Sequence, residues 1–120
     1  MALDISVEKL LSSRDNLQLT TRGRRTGKPH SVIVSYVYED GYVYLLAGVP
    51  RDWHKNMKKN PDVTLRIDDK VIHGVAEPIL DEEKTLAEIK SKFKKKYSFS
   101  YYVQWYERME RRPVLIRLLP

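Results

Sequence analysis

Asp40-Gly41 lies between two runs rich in β-branched and aromatic residues, 31–38 and 42–47. Such runs favour a pleated strand, and an Asp-Gly pair accepts the positive φ angles that a tight hairpin demands. The spacing therefore predicts two antiparallel strands. The same two-residue period recurs over 16–21, where Leu17 and Leu19 alternate with polar neighbours, and over 63–67. Asp68-Asp69 turns the latter into 71–78 as a second hairpin, and 114–119 reads as a last apolar strand. Helical spacing appears over 4–13, with Ser6 as candidate cap, and over 53–59, capped by Asp52 and stopped by Asn60-Pro61. It returns over 82–96, capped by Asp81, and over 98–109. The first three strands are expected to form an antiparallel meander. Strands in two groups, with helices interposed and appended, predict a mainly β fold: one domain over 1–120, a small β-barrel carrying helices.

The segment joining the first two strands reads TTRGRRTGKPH over 20–30. Arg22, Arg24, Arg25 and Lys28 surround Gly23 and Gly27, and glycine lets a backbone approach a ligand closely. Arginine forks match phosphate oxygens, and lysine adds a mobile point charge. Pro29 then returns the chain to an extended course. The turn reads either as a cradle for a phosphate or as a solvated basic loop.

Charge points the same way. The chain carries 22 basic against 16 acidic side chains, a net charge of +6, which favours an anionic partner. Its 42% hydrophobic and 32% charged residues suit a folded domain. With no cysteine there is no disulfide, thiolate nucleophile or zinc-thiolate site. The N-terminus shows no signal-peptide pattern, and no apolar run approaches the roughly eighteen residues of a membrane span, so a cytoplasmic location is expected.

Several chemistries are excluded or unsupported. The turn has three residues between its glycines and Pro29 where a Walker loop needs Ser or Thr, so nucleotide hydrolysis is rejected. GxGxxG and GxSxG are missing. His30, His54 and His73 are scattered, with no helical pair to bind a metal. The run Lys90, Lys92, Lys94, Lys95 and Lys96 is either a nucleic-acid or lipid contact or the solvated face of a helix. The aromatic group Tyr97, Phe99, Tyr101, Tyr102, Trp105 and Tyr106 either lines a pocket for a planar ligand or packs a helix.

Two blocks, LTTRGRRTGKPHSV and GVPRDWHKNMKKNPDVTL, carry a resemblance. In order and spacing they resemble the deazaflavin-dependent nitroreductase and quinone-reductase family of the FMN-binding split β-barrels, relatives of pyridoxamine phosphate oxidase. The resemblance implies a phosphate grip of Arg24, Arg25, Thr26, Gly27, Lys28 and His30. It lays Ala47, Gly48 and Val49 along a flavin-type ring, and Trp53 and Asn56 keep the family's Trp-x-x-Asn spacing beside it. Tyr97, Tyr101 and Tyr102 fall where members place substrate-side tyrosines. The implied cofactor is the deazaflavin coenzyme F-420 or FMN. The implied activity is that of an oxidoreductase passing hydride from the reduced cofactor to a quinone-like or nitroaromatic acceptor. Members usually form homodimers. Two rivals stand beside it: a non-catalytic flavin carrier, and a nucleic-acid-binding barrel using Arg22 to Lys28 with the lysine-rich helix.

Overall fold

A computed structural model describes residues 3–48, 52–97 and 111–120 of the chain. Its elements are α1 (Ile5–Ser13), β1 (Asn16–Arg22), β2 (Pro29–Ser35), β3 (Val37–Glu39), β4 (Tyr42–Gly48), α2 (Asp52–Lys59), β5 (Asp62–Ile67), β6 (Lys70–Ala76), α3 (Glu82–Lys96) and β7 (Arg111–Leu119). The helix expected over 98–109 lies outside the described residues, as do Val49, Tyr101 and Tyr102.

Every neighbouring strand pair is antiparallel, in the order β2-β1-β5-β6-β7-β4-β3. The Asp40-Gly41 hairpin forms as the sequence requires, with φ of 49° and 84° at the two turn residues. Asp68 opens the second hairpin at φ 53°.

The meander does not form, and 31–38 is not one strand. β2 and β3 stand at opposite ends of the sheet, although only Tyr36 separates them in sequence. The two free edges must therefore meet at Tyr36, and the sheet curls into a barrel. The break has a physical cause. Tyr36 is fully buried, and side chains satisfy its backbone where a strand partner would. Its N–H donates to the Tyr97 hydroxyl at 3.3 Å, and its carbonyl accepts from Tyr97 and from Lys96 Nζ, both at 2.8 Å. The Tyr36 hydroxyl in turn donates to the carbonyl of Leu11, tying in α1. A second correction is local: the α1 cap is Asp4, whose carboxylate accepts from Ser6 N at 2.8 Å and Ser6 Oγ at 2.6 Å. A carboxylate two residues earlier accepts from a first-turn N–H that has no helical partner, and Ser6 becomes its donor.

Alternate strand residues fill the barrel: Leu17 and Leu19, Val43 and Leu45, Val63, Leu65 and Ile67, Ile116 and Leu118. A second cluster, Val37, Leu46, Ile89, Phe93 and Tyr97, seats α3 against β3 and β4. Gly74 keeps β6 close to this core, because a Cβ there would lie 2.6 Å from Ile116 Cγ2 and 3.2 Å from Leu65 Cδ1. Gly74→Ala is expected to destabilise the protein by roughly 1–3 kcal/mol through overpacking. Urea unfolding measures it, and an unchanged midpoint would show that Ile116 yields freely.

The closing seam also sets an alkaline limit. Tyr38 donates to Glu8 Oε1 at 2.7 Å. Burial, and then that hydrogen bond, push its pKa up from 10 to about 12; burial pushes Tyr36 up as well. The unfolded tyrosines ionise first, so above pH 10 the unfolded state binds fewer protons and stability falls with rising pH. Lys96 acts in the opposite sense, since burial lowers it from 10.5 to about 8 and stability gains between those values. Melting curves of Tyr38→Phe should therefore decline less steeply than wild type between pH 10 and about 12. Parallel declines would remove Tyr38 from the effect.

Candidate functional site: the basic turn and its helical brace

The register pairs Arg22 with Pro29, so residues 23–28 form the tip of the β1–β2 hairpin. Gly23 N–H donates to Lys28 O at 2.8 Å, and Gly27 N–H donates to Gly23 O at 2.9 Å. Lys28 N–H reaches Thr26 Oγ1 at 3.3 Å. Gly27 takes φ 73°, which other residues adopt only with strain. Gly23 is buried beneath the tip, where a Cβ would meet Thr26 Oγ1 and Lys28 O at 3.3 Å and His30 Nε2 at 3.4 Å. The tip is thus an internally bonded scaffold.

Its side chains fan outward. Arg25, Thr26, Lys28 and His30 are exposed. Neither Arg25 nor Lys28 has an acidic partner among the described residues. The Arg22 guanidinium reaches Gly27 O, at 3.5 Å. Uncompensated cations on a fixed backbone are what an oxyanion ligand requires.

Arg24 is held differently, and α2 does the holding. Asn56 is 2% exposed. Its Oδ1 accepts from Arg24 N at 3.2 Å and Arg24 Nη1 at 3.0 Å, while its Nδ2 donates to Thr21 Oγ1 at 3.4 Å. One turn later Asn60 Nδ2 donates to Gly23 O at 3.4 Å. Trp53, three residues before Asn56 on the same helix, packs against the barrel core. The Trp-x-x-Asn spacing therefore anchors α2 with one residue and braces the turn with the other.

The remaining candidates divide. Ala47 and Gly48 are buried at the end of β4, paired with Arg112 and Arg111 of β7. Tyr97 sits apart at the closing seam, its hydroxyl 2.8 Å from both the Asp15 and Tyr36 carbonyls. The lysine run is not one exposed stripe. Lys92 pairs with Glu39 at 2.5 Å, and Lys96 lies 3.9 Å over the Tyr36 ring and donates to the Arg14 and Tyr36 carbonyls. Among the described residues no cluster of three or more His, Asp or Glu could hold a metal, and no helix is long and apolar enough to cross a membrane. Sequence reasoning missed Asn60, read only as a helix stop, and Thr21; the four-residue step from Asn56 to Asn60 was the available signal for the first.

A curled seven-stranded antiparallel sheet with three described helices is the architecture of the split-barrel proteins related to pyridoxamine phosphate oxidase, and solved structures bear out the fold. A FAD-binding protein from Mesorhizobium loti superposes with a TM-score of 0.76 at 18% identity, covering 99% of this chain and 91% of that one. A structure described as an F-420-H2 dependent reductase gives 0.65 at 24% identity, over 87% and 95%. The chain also matches the F-420H(2)-dependent quinone reductase family over residues 1–118, and it belongs to that family. An F-420H(2)-dependent quinone reductase of Mycobacterium tuberculosis is 34% identical over 70 residues, 53% of this chain and 46% of the relative. The matched stretch thus spans about half the length of that relative.

Proposed function

We propose that this protein is an oxidoreductase that binds the deazaflavin coenzyme F-420, with FMN as the alternative, and delivers hydride to a quinone-like or nitroaromatic acceptor. The observation that carries the reading is the hairpin tip, where exposed Arg25 and Lys28 stand without acidic partners among the described residues on a bonded glycine turn. Both coenzymes end a ribityl chain in phosphate, and the donor set suits either. Arg24, Arg25 and Lys28 would hold the phosphate, with Thr26 as a further donor, Gly27 shaping the backbone and His30 at the rim. Ala47, Gly48 and Val49 would border the ring, Trp53 and Asn56 would support the site through α2, and Tyr101 and Tyr102 would face the acceptor. When bound, the reduced coenzyme supplies the hydride. The chain's own part is to bind and orient it, a division of labour that needs no dedicated acid or base side chain.

The family description and the M. tuberculosis relative's name favour F-420 as hydride source and a quinone as acceptor. The same proposal has the whole chain act as one domain, in the cytoplasm, as a homodimer. A structure described as a domain-swapped dimer, 22% identical with a TM-score of 0.66, supports the last point. The test is anaerobic mixing of purified protein with reduced F-420 and a soluble naphthoquinone, following the return of oxidised coenzyme absorbance. Protein-dependent turnover is expected. Tight binding with no turnover on quinone or nitroaromatic acceptors would replace the enzyme with a coenzyme carrier. Affinity for nucleic acid that falls steeply with salt, without coenzyme binding, would favour the nucleic-acid reading.

A further inference from the structure

The face of α2 that looks away from the basic turn borders a cavity of about 410 Å³, which no residue of the turn lines. His54, Met57 and Lys58 reach it at helical spacing. Its opposite wall exists because β7 outruns β6. β6 ends at Ala76, paired with Ile116, so the preceding β7 residues 113–115 lose their neighbour on that edge. Glu77 N–H caps the Leu115 carbonyl at 2.8 Å. Pro113, two residues earlier and directed to the same edge, has no N–H to leave unsatisfied. The exposed edge is thereby converted into an apolar wall, completed by Met57 and Ile79.

The polar groups at the rim have an unequal balance. Both carboxylates are already engaged, Glu77 by Arg117 at 2.7 Å and Glu82 by Arg112 at 2.9 Å. Lys58 is exposed and makes no ion pair among the described residues. The half-buried His54 has its pKa lowered by burial first, and then by the fields of Lys58 and Arg112 against that of Glu82. A neutral imidazole offers one N–H donor, and Lys58 supplies the uncompensated positive charge.

We propose that this cavity is a second small-molecule site, separate from the coenzyme turn, that takes a compact monocarboxylate with an apolar or aromatic body. The body lies against Met57, Ile79, Pro113 and Leu115, and the carboxylate meets Lys58 and the His54 N–H. The volume is within the usual range for small-ligand pockets, roughly 300–1,000 Å³. The assignment stands on this cavity's own lining and does not depend on which coenzyme the turn holds.

Calorimetric titration of the intact protein with naphthoate and with its uncharged isostere naphthamide tests it. Naphthoate should bind below millimolar concentration, and naphthamide about tenfold more weakly, because it lacks the charge-assisted contact. Lys58→Gln, an exposed change, should bring naphthoate down to the level of the amide and leave the amide unaltered. Ile79→Trp should fill the cavity and abolish both. Equal affinity for acid and amide would overturn the proposal, as would no binding at millimolar naphthoate or indifference to both substitutions. Stoichiometric displacement by F-420 would overturn it differently, by making the cavity part of the coenzyme site.

Discussion

Replacing Arg25 and Lys28 together by alanine should weaken coenzyme binding by about tenfold or more, with the fold intact. Charge-assisted hydrogen bonds contribute about 1.5–3 kcal/mol each, and exposure to solvent reduces that share. Two such losses exceed the 1.4 kcal/mol that corresponds to about a factor of ten. Stability should barely change. Both side chains are exposed and neither makes an ion pair within the described fold, and surface changes of this kind stay within about 0.5 kcal/mol. Affinity and melting temperature thus separate cleanly. A folded double variant with unaltered affinity would remove the turn from the site.

Asn56→Leu should do the reverse, affecting stability and binding at once. The substitution strips the acceptor from Arg24 N and Nη1 and the donor from Thr21 Oγ1, a fully buried hydroxyl. Stranding buried or half-buried partners costs roughly 1–3 kcal/mol. Affinity should fall because Arg24 loses the two hydrogen bonds that Asn56 supplies, although Asn56 need not touch the ligand. Asn56→Asp distinguishes this from simple damage. It keeps an acceptor under Arg24 and so preserves much of the stability, but sets a negative charge against the arginine and should weaken phosphate binding. A double-mutant cycle with Arg24→Ala completes the case: the two changes should be strongly non-additive in binding. Additive losses would mean that Asn56 and Arg24 serve separate ends.

Much of this was legible because the signals are local. Asp40-Gly41 dictated a hairpin through the φ angles at its own two residues, and Gly23 with Gly27 marked a turn whose bonds close within six residues. Trp53 and Asn56 announced a shared helical face. The break at Tyr36 had no such signal. In sequence Tyr36 is one more aromatic residue in a strand-like run, and its backbone is satisfied by Tyr97, which lies 61 positions away. The bracing role of Asn56 is equally non-local, since Arg24 is 32 residues distant. The resemblance implied a place for Asn56 beside a cofactor, but only the packing of α2 against the β1–β2 turn shows its hydrogen bonds to Arg24. The division of the lysine run is non-local for the same reason: Lys92 pairs with Glu39 and Lys96 reaches the Tyr36 carbonyl, whereas Lys94 and Lys95 are exposed.

The most direct test is a paired equilibrium titration of the purified apo-protein with F-420 and with FMN, followed by fluorescence, for the wild-type chain and the Arg25→Ala, Lys28→Ala variant. A phosphate-gripping turn requires tight binding of at least one coenzyme by wild type, with F-420 favoured, and its loss in the variant. Binding of neither by folded wild-type protein, or equal binding by both proteins, would contradict it.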